Sequence, residues 1–148
     1  MPVLSRCTNI TNRDCRMPMT RWQRIGLAIV FGWFCLGGLA HLVWPVAFAS
    51  IIPPALPFKM PAVFITGAFE LLGAIGILLP RYRRVAGIGL IALTLCVTPA
   101  NVYMWWHAEK FPQVPEIALL LRLPLQFLLI VCILWSTQLL GYRHRAVS

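Results

Sequence analysis

Four long apolar runs constrain this chain more than any other feature. They cover about residues 25–44, 61–79, 85–105 and 117–140. A helix rises about 1.5 Å per residue and needs roughly 20 residues to cross the hydrocarbon core of a bilayer. Each run is therefore long enough to span. Backbone that enters hydrocarbon must satisfy its own hydrogen bonds, which a helix does within one segment. The expected fold is all-α: an integral membrane four-helix bundle over residues 25–140. In 148 residues this leaves no room for a catalytic soluble domain.

Charge supports the same reading. Only 11% of the residues are charged, where soluble domains carry about 25%. The formal net charge of +9 does not point to nucleic acid, because the basic residues flank apolar runs rather than forming a solvated face. Arg6, Arg13, Arg16, Arg21, Arg24, Arg81, Arg83, Arg84, Arg143 and Arg145 fall on one side of the four-span arrangement, and Lys59 and Lys110 on the other. Lysine and arginine concentrate on the cytoplasmic side. Residues 1–24 and 141–148 are accordingly expected to be cytoplasmic basic tails, the first poorly ordered. Trp44, Tyr103, Trp105 and Trp106 would form the outer aromatic belt, and Trp22, Tyr82 and Tyr142 the inner one. Trp33 and Trp135 read as packing residues. Ala47-Phe48-Ala49 imitates a signal-peptidase site, but the preceding run is longer than the roughly 7 to 15 residues of a signal core, so an uncleaved first span is expected.

Five polar residues remain inside the runs: His41, Glu70, Asn101, Arg122 and Gln126. Counted from the outer helix ends they fall about 6 to 16 Å deep, all in the outer half. Gly67 and Ala74, three before and four after Glu70, put it on a small, close-packing stripe. A charge at mid-span costs about 2.5 to 3.5 kcal/mol even on the lenient insertion scale, so Glu70 is expected to pair with Arg122, the one cation within the runs. In the alternative, Arg122 snorkels to the headgroups and Glu70 is neutral and hydrogen-bonded. His41 has no second histidine or carboxylate at metal-ligand spacing. The five cysteines, Cys7, Cys15, Cys35, Cys96 and Cys132, form no C-x-x-C pair, and the last three read as small buried hydrophobes. Glycines at 26, 37, 38, 67, 73, 76, 87 and 89 argue for close helix approach.

Two prolines, Pro99 and Pro124, interrupt the third and fourth runs and deprive the carbonyls of Leu95 and Leu120 of their usual donors. Residues 45–61 combine Pro45, Pro53, Pro54, Pro57 and Pro61 with Phe48, Ile51, Ile52, Leu56 and Phe58. Such a segment is too apolar for a solvated loop and too rich in proline for a span. It reads as a stiff cap over the polar layer, or as a plain interfacial linker.

Gly38, His41, Pro45, Phe48, Ile52-Pro53-Pro54 and Leu56-Pro57, then Gly67, Glu70, Gly73, Gly76 and Leu78-Leu79-Pro80, form an ordered string. It continues through Arg84, Ala86, Gly89, Leu90, Pro99-Ala100-Asn101-Val102-Tyr103-Met104 and Arg122-Leu123-Pro124-Leu125-Gln126. This string resembles the DoxX-like family of small membrane proteins over roughly residues 26–138. The resemblance implies a four-helix membrane bundle in a bacterial cytoplasmic membrane and, through the family's link to thiosulfate:quinone oxidoreduction, redox or quinone chemistry.

Three functions are weighed. An accessory subunit of a membrane redox system would use the five polar residues to hold a quinone in the outer leaflet. An assembly or scaffolding bundle would use them only for folding. A transporter would need a polar path through both leaflets, and the inner half is almost wholly apolar. No nucleophile-base pair, cofactor fingerprint or metal motif marks a stand-alone catalyst. The expected partners are the lipid bilayer and other membrane redox or assembly proteins, with no nucleic acid; the oligomeric state is open. The charge split yields a direct test. In a background without native thiols, an impermeant maleimide applied to intact cells should label cysteine placed at Ser50 and spare cysteine placed at Ser148. Labelling of both, or of Ser148 alone, would reject this topology.

Overall fold

The structure, a computed structural model, describes residues 19–53, 57–112 and 114–139. Arg6, Arg13, Arg16, Arg143 and Arg145, together with Cys7, Cys15, Tyr142, Pro54 and Leu56, lie outside them. Among the described residues all regular structure is helical: α1 (Arg21–Val43), α2 (Pro45–Ser50), α3 (Lys59–Leu78), α4 (Arg83–Trp106) and α5 (Glu116–Ser136). A single 3-10 turn, Ala108–Lys110, joins α4 to α5. All but α2 are long and apolar enough to cross a membrane. They pack in a ring in which α1 touches α3 and α5, and α4 touches α3 and α5.

The first and last helices differ from the sequence reading where local hydrogen bonding decides. The segment Arg21–Arg24, assigned above to the tail, is helical. Thr20 caps α1 by accepting from the Gln23 backbone N–H at 3.2 Å, while the Gln23 side chain accepts from the Thr20 N–H at 3.0 Å. This reciprocal capping box satisfies two donors that a helix start otherwise leaves open. The last helix stops at Ser136 rather than continuing to residue 140. Gln138 adopts a left-handed conformation, φ 60°, and its N–H donates to the Trp135 carbonyl while that of Leu139 donates to Leu134. That is the Schellman arrangement, here with glutamine where glycine is usual.

Pro99 and Pro124 lie inside α4 and α5, which continue through them. Between α3 and α4 the Arg83 guanidinium folds back, its Nε donating to the Ile77 carbonyl at 2.9 Å and Nη2 to Leu78 at 3.4 Å. A cation on the last carbonyls of a helix complements its dipole. The same group reaches Met19 Sδ at 2.9 Å, so the start of α1 and the α3–α4 turn share one end of the bundle. The opposite end carries α2.

Within lipid there is little hydrophobic drive between helices, so association rests on close van der Waals packing. Buried residues on α1 recur every fourth position, Gly26, Val30, Phe34 and Gly38, and α3 buries Val63, Gly67, Ala74 and Ile77. The two backbones approach closely at Gly38 and Gly67. A Cβ on Gly38 would stand 2.9 Å from the Gly67 carbonyl oxygen, and one on Gly67 would stand 2.8 Å from His41 Cβ. Gly73 receives Leu90, Gly76 receives Ala86, Gly87 receives Thr137 and Gly26 receives Trp135. Gly89, counted above with these, faces open space. Cys96 is likewise exposed rather than buried, whereas Cys35 and Cys132 pack against the core. Trp33 and Trp135 are about half exposed, at 49% and 45%, with Trp135 packed on Gly26 and Trp33 along the cavity described below.

The core divides in two. Toward the Arg83 end, Leu27, Val30, Phe34, Ala74, Ile77, Leu90, Leu129 and Ile133 form one cluster. Toward the α2 end, Met104, Phe111 and Leu119 form another. On α4 and α5 the polar residues fall in the gap between these clusters, where the cavity described below lies.

The glycine contact predicts an asymmetry between two alanine substitutions. Gly38→Ala must drive α1 from α3 and should lose about 1 to 3 kcal/mol of stability. Gly32→Ala, with nothing within 4 Å, should be neutral or gain up to about 1 kcal/mol of helix propensity. Unfolding of the purified variants in mixed micelles measures both, and equal effects would show that this contact does not set the α1–α3 distance.

Candidate functional site

Each spanning helix contributes polar side chains to one cavity of about 520 Å³, a size common for small-molecule sites. His41 comes from α1, Glu70 from α3, Asn101 from α4, and Arg122 and Gln126 from α5; all five line it. The four-residue spacing of Arg122 and Gln126 puts them one above the other on their helix. Phe34, Val63, Leu93 and Leu129 supply apolar wall. Phe48, Ile51 and Ile52, from α2 and the turn after it, close the α2 end. The Phe48 ring lies on the His41 imidazole with centroids 4.0 Å apart.

The Glu70–Arg122 pair expected from the sequence is not formed. Glu70 instead meets His41 across the α1–α3 contact, with Oε2 3.3 Å from Nδ1. Arg122 is exposed, at the rim, where Nη1 donates to Met104 Sδ at 3.3 Å. The cause is steric. Gly38 and Gly67 bring α1 and α3 together, and a Cβ at Gly37 would lie 2.9 Å from Glu70 Oε2. The carboxylate therefore occupies space that glycine leaves open on α1. A long arginine side chain reaches the rim without help from Glu70, as snorkelling side chains do.

Nδ1 of His41 is also 2.9 Å from the Gly37 carbonyl. That carbonyl can only accept, so Nδ1 must carry the hydrogen. The Nδ1–H is thus engaged by Gly37, and its approach to Glu70 is close without being a directed hydrogen bond; Glu70 Oε2 accordingly has no hydrogen-bond partner although it is buried. Both side chains are nearly enclosed, with 14% of His41 and 12% of Glu70 exposed.

On the other wall, Gln126 Nε2 donates to the Thr94 carbonyl at 3.2 Å, linking α5 to α4. The Thr98 hydroxyl donates to the same carbonyl at 2.9 Å. Gln126 Oε1 is the second buried polar atom without a partner. Asn101 is half-buried in the α4 wall. Among the described residues no three His, Cys, Asp or Glu side chains converge as a metal site would require.

Three contributors escaped the sequence reading. Thr94 supplies the carbonyl that orients Gln126, Met104 receives Arg122, and Trp33 forms cavity wall. Thr94 carried no signal, because a helical threonine satisfies its hydroxyl on the i−4 carbonyl, here Leu90 at 2.7 Å. Trp33 did carry one: it precedes Gly37 by one turn on the helix bearing His41.

These features define a helical membrane bundle with a capped, largely apolar cavity that holds five polar side chains and two threonines from its four long helices. The chain belongs to the family described as Domain of unknown function (DUF8561), whose model matches residues 27–138. No curated protein and no solved structure matches it.

The observed pairing is testable by a thermodynamic cycle. His41→Ala and Glu70→Gln should couple by about 1 kcal/mol or more, as contacting residues do, whereas Glu70→Gln and Arg122→Leu should add within about 0.5 kcal/mol. Coupling confined to Glu70 and Arg122 would restore the pairing expected from sequence.

Proposed function

We propose that this protein holds the head group of a membrane-borne quinone-type molecule, in the outer leaflet, as an accessory subunit of a membrane redox system. One observation carries the reading: five polar side chains from four helices meet in a single cavity whose other walls are largely apolar and whose end is covered by α2. A quinone-type ligand has a small polar ring and an apolar tail, which suits such a slot. Arg122 and Asn101 supply donors near the rim, and Phe48 and Trp33 offer aromatic surface for the ring. The split of basic residues argues that α2 faces outward and both termini lie in the cytoplasm. The string of motifs resembling the DoxX-like family supports the redox setting.

A second reading, an assembly bundle, is favoured by the bond between Gln126 and the Thr94 carbonyl. That bond ties α5 to α4 with no ligand. Fluorescence titration separates the two. A decyl-tailed benzoquinone added to the purified protein in detergent should quench tryptophan emission saturably. Trp33→Phe should remove part of the quenched amplitude, and His41→Ala, in protein that still folds, should weaken binding by about tenfold, the scale of one lost polar contact. Quenching that never saturates, or is equal in both variants, supports the assembly bundle instead.

A further inference from the structure

The two buried polar atoms without partners are both acceptors. Glu70 Oε2 lies 3.3 Å from His41 Nδ1, whose hydrogen is engaged by the Gly37 carbonyl, so this carboxylate oxygen accepts no hydrogen bond. Gln126 is oriented by its own bond: Nε2 donates to the Thr94 carbonyl, which leaves Oε1 as the free end of the amide. A buried acceptor without a donor costs about 1 to 3 kcal/mol. The two side chains that carry them, on α3 and α5, line the same cavity. Terminal carboxylate and amide torsions are broad, so each oxygen can turn toward a ligand without leaving its rotamer.

An oxidised quinone brings two carbonyl oxygens, which can only accept. Placed against Glu70 and Gln126 it would set oxygen against oxygen and leave both orphan atoms unsatisfied. Its reduced form carries two hydroxyls, one for each acceptor, on the same ring with the same tail. We infer that the cavity selects the reduced, dihydroxy form of its ligand over the oxidised quinone. The inference rests on the quinone-type reading above and adds the redox state that the site prefers. It involves binding alone: no bond is made or broken, and no electron acceptor is needed.

Equilibrium dialysis under argon tests it, using the full chain in detergent with decyl-tailed benzoquinone and, separately, its chemically reduced quinol. The quinol should bind at least about tenfold more tightly, as expected when one or two buried acceptors gain donors. The midpoint potential of the bound two-electron couple should rise by about 30 mV for each tenfold of preference. Glu70→Gln, whose amide can donate to a quinone carbonyl, and Gln126→Leu should each reduce the ratio severalfold while the affinity for the oxidised form falls little. Equal affinities, or tighter binding of the quinone, would overturn the inference and leave the quinone-type reading standing. Binding of neither form would overturn both. The wild-type ratio decides even if a variant fails to fold.

Discussion

The approach of α1 to α3 at Gly38 and Gly67 is the contact on which the rest of this structure depends. Two backbones can meet this closely only where neither helix carries a Cβ. Because they do, His41 on α1 and Glu70 on α3 face one another 3.3 Å apart inside the bundle. Gly37, on the same turn as Gly38, leaves the space that the Glu70 carboxylate occupies. Position is therefore supplied by glycine, and chemistry by the neighbours of glycine.

A polar cavity within an apolar bundle also needs packing on both sides of it. The larger cluster around Ile77, Leu90 and Ile133 and the smaller one at Met104, Phe111 and Leu119 supply it. Between them, α4 and α5 keep their helical course through Pro99 and Pro124. The Thr94 carbonyl, five residues before Pro99, accepts from both the Thr98 hydroxyl and the Gln126 amide. Polar side chains thus tie the walls together while Glu70 Oε2 and Gln126 Oε1 remain unpartnered. Buried polar atoms in native structures nearly always have partners. Two such exceptions in one cavity are what gives a ligand-binding reading its physical content.

Much of the fold was legible because hydrophobic length is a local property. Four apolar runs gave four long helices, and the ends moved by more than two residues only where a cap acts: Thr20 with Gln23 extends α1 backward, and the left-handed Gln138 stops α5 early. A Thr-x-x-Gln spacing is visible in the sequence, and reading it as a capping box would have recovered Arg21–Arg24. Nothing local marks Gln138 as a helix terminator, since glycine is the residue that normally takes that conformation. The five candidate polar residues were legible for a related reason: polar groups are rare and costly within spans, and so stand out against their neighbours.

By itself the sequence determined that four helices form, which side chains are polar within them and where glycine permits close approach. All of these follow from residue type and spacing along one helix. Only the tertiary structure decided that Glu70 faces His41 instead of Arg122, that Phe48 covers the imidazole and that Gln126 is held by Thr94. Partner choice across helices depends on how far each helix is rotated about its axis and how closely it approaches its neighbour. Charge pairing in the sequence favoured arginine, the stronger cation. Geometry favoured histidine, because the Gly38–Gly67 contact brings the short imidazole to the carboxylate while the long guanidinium extends to the rim.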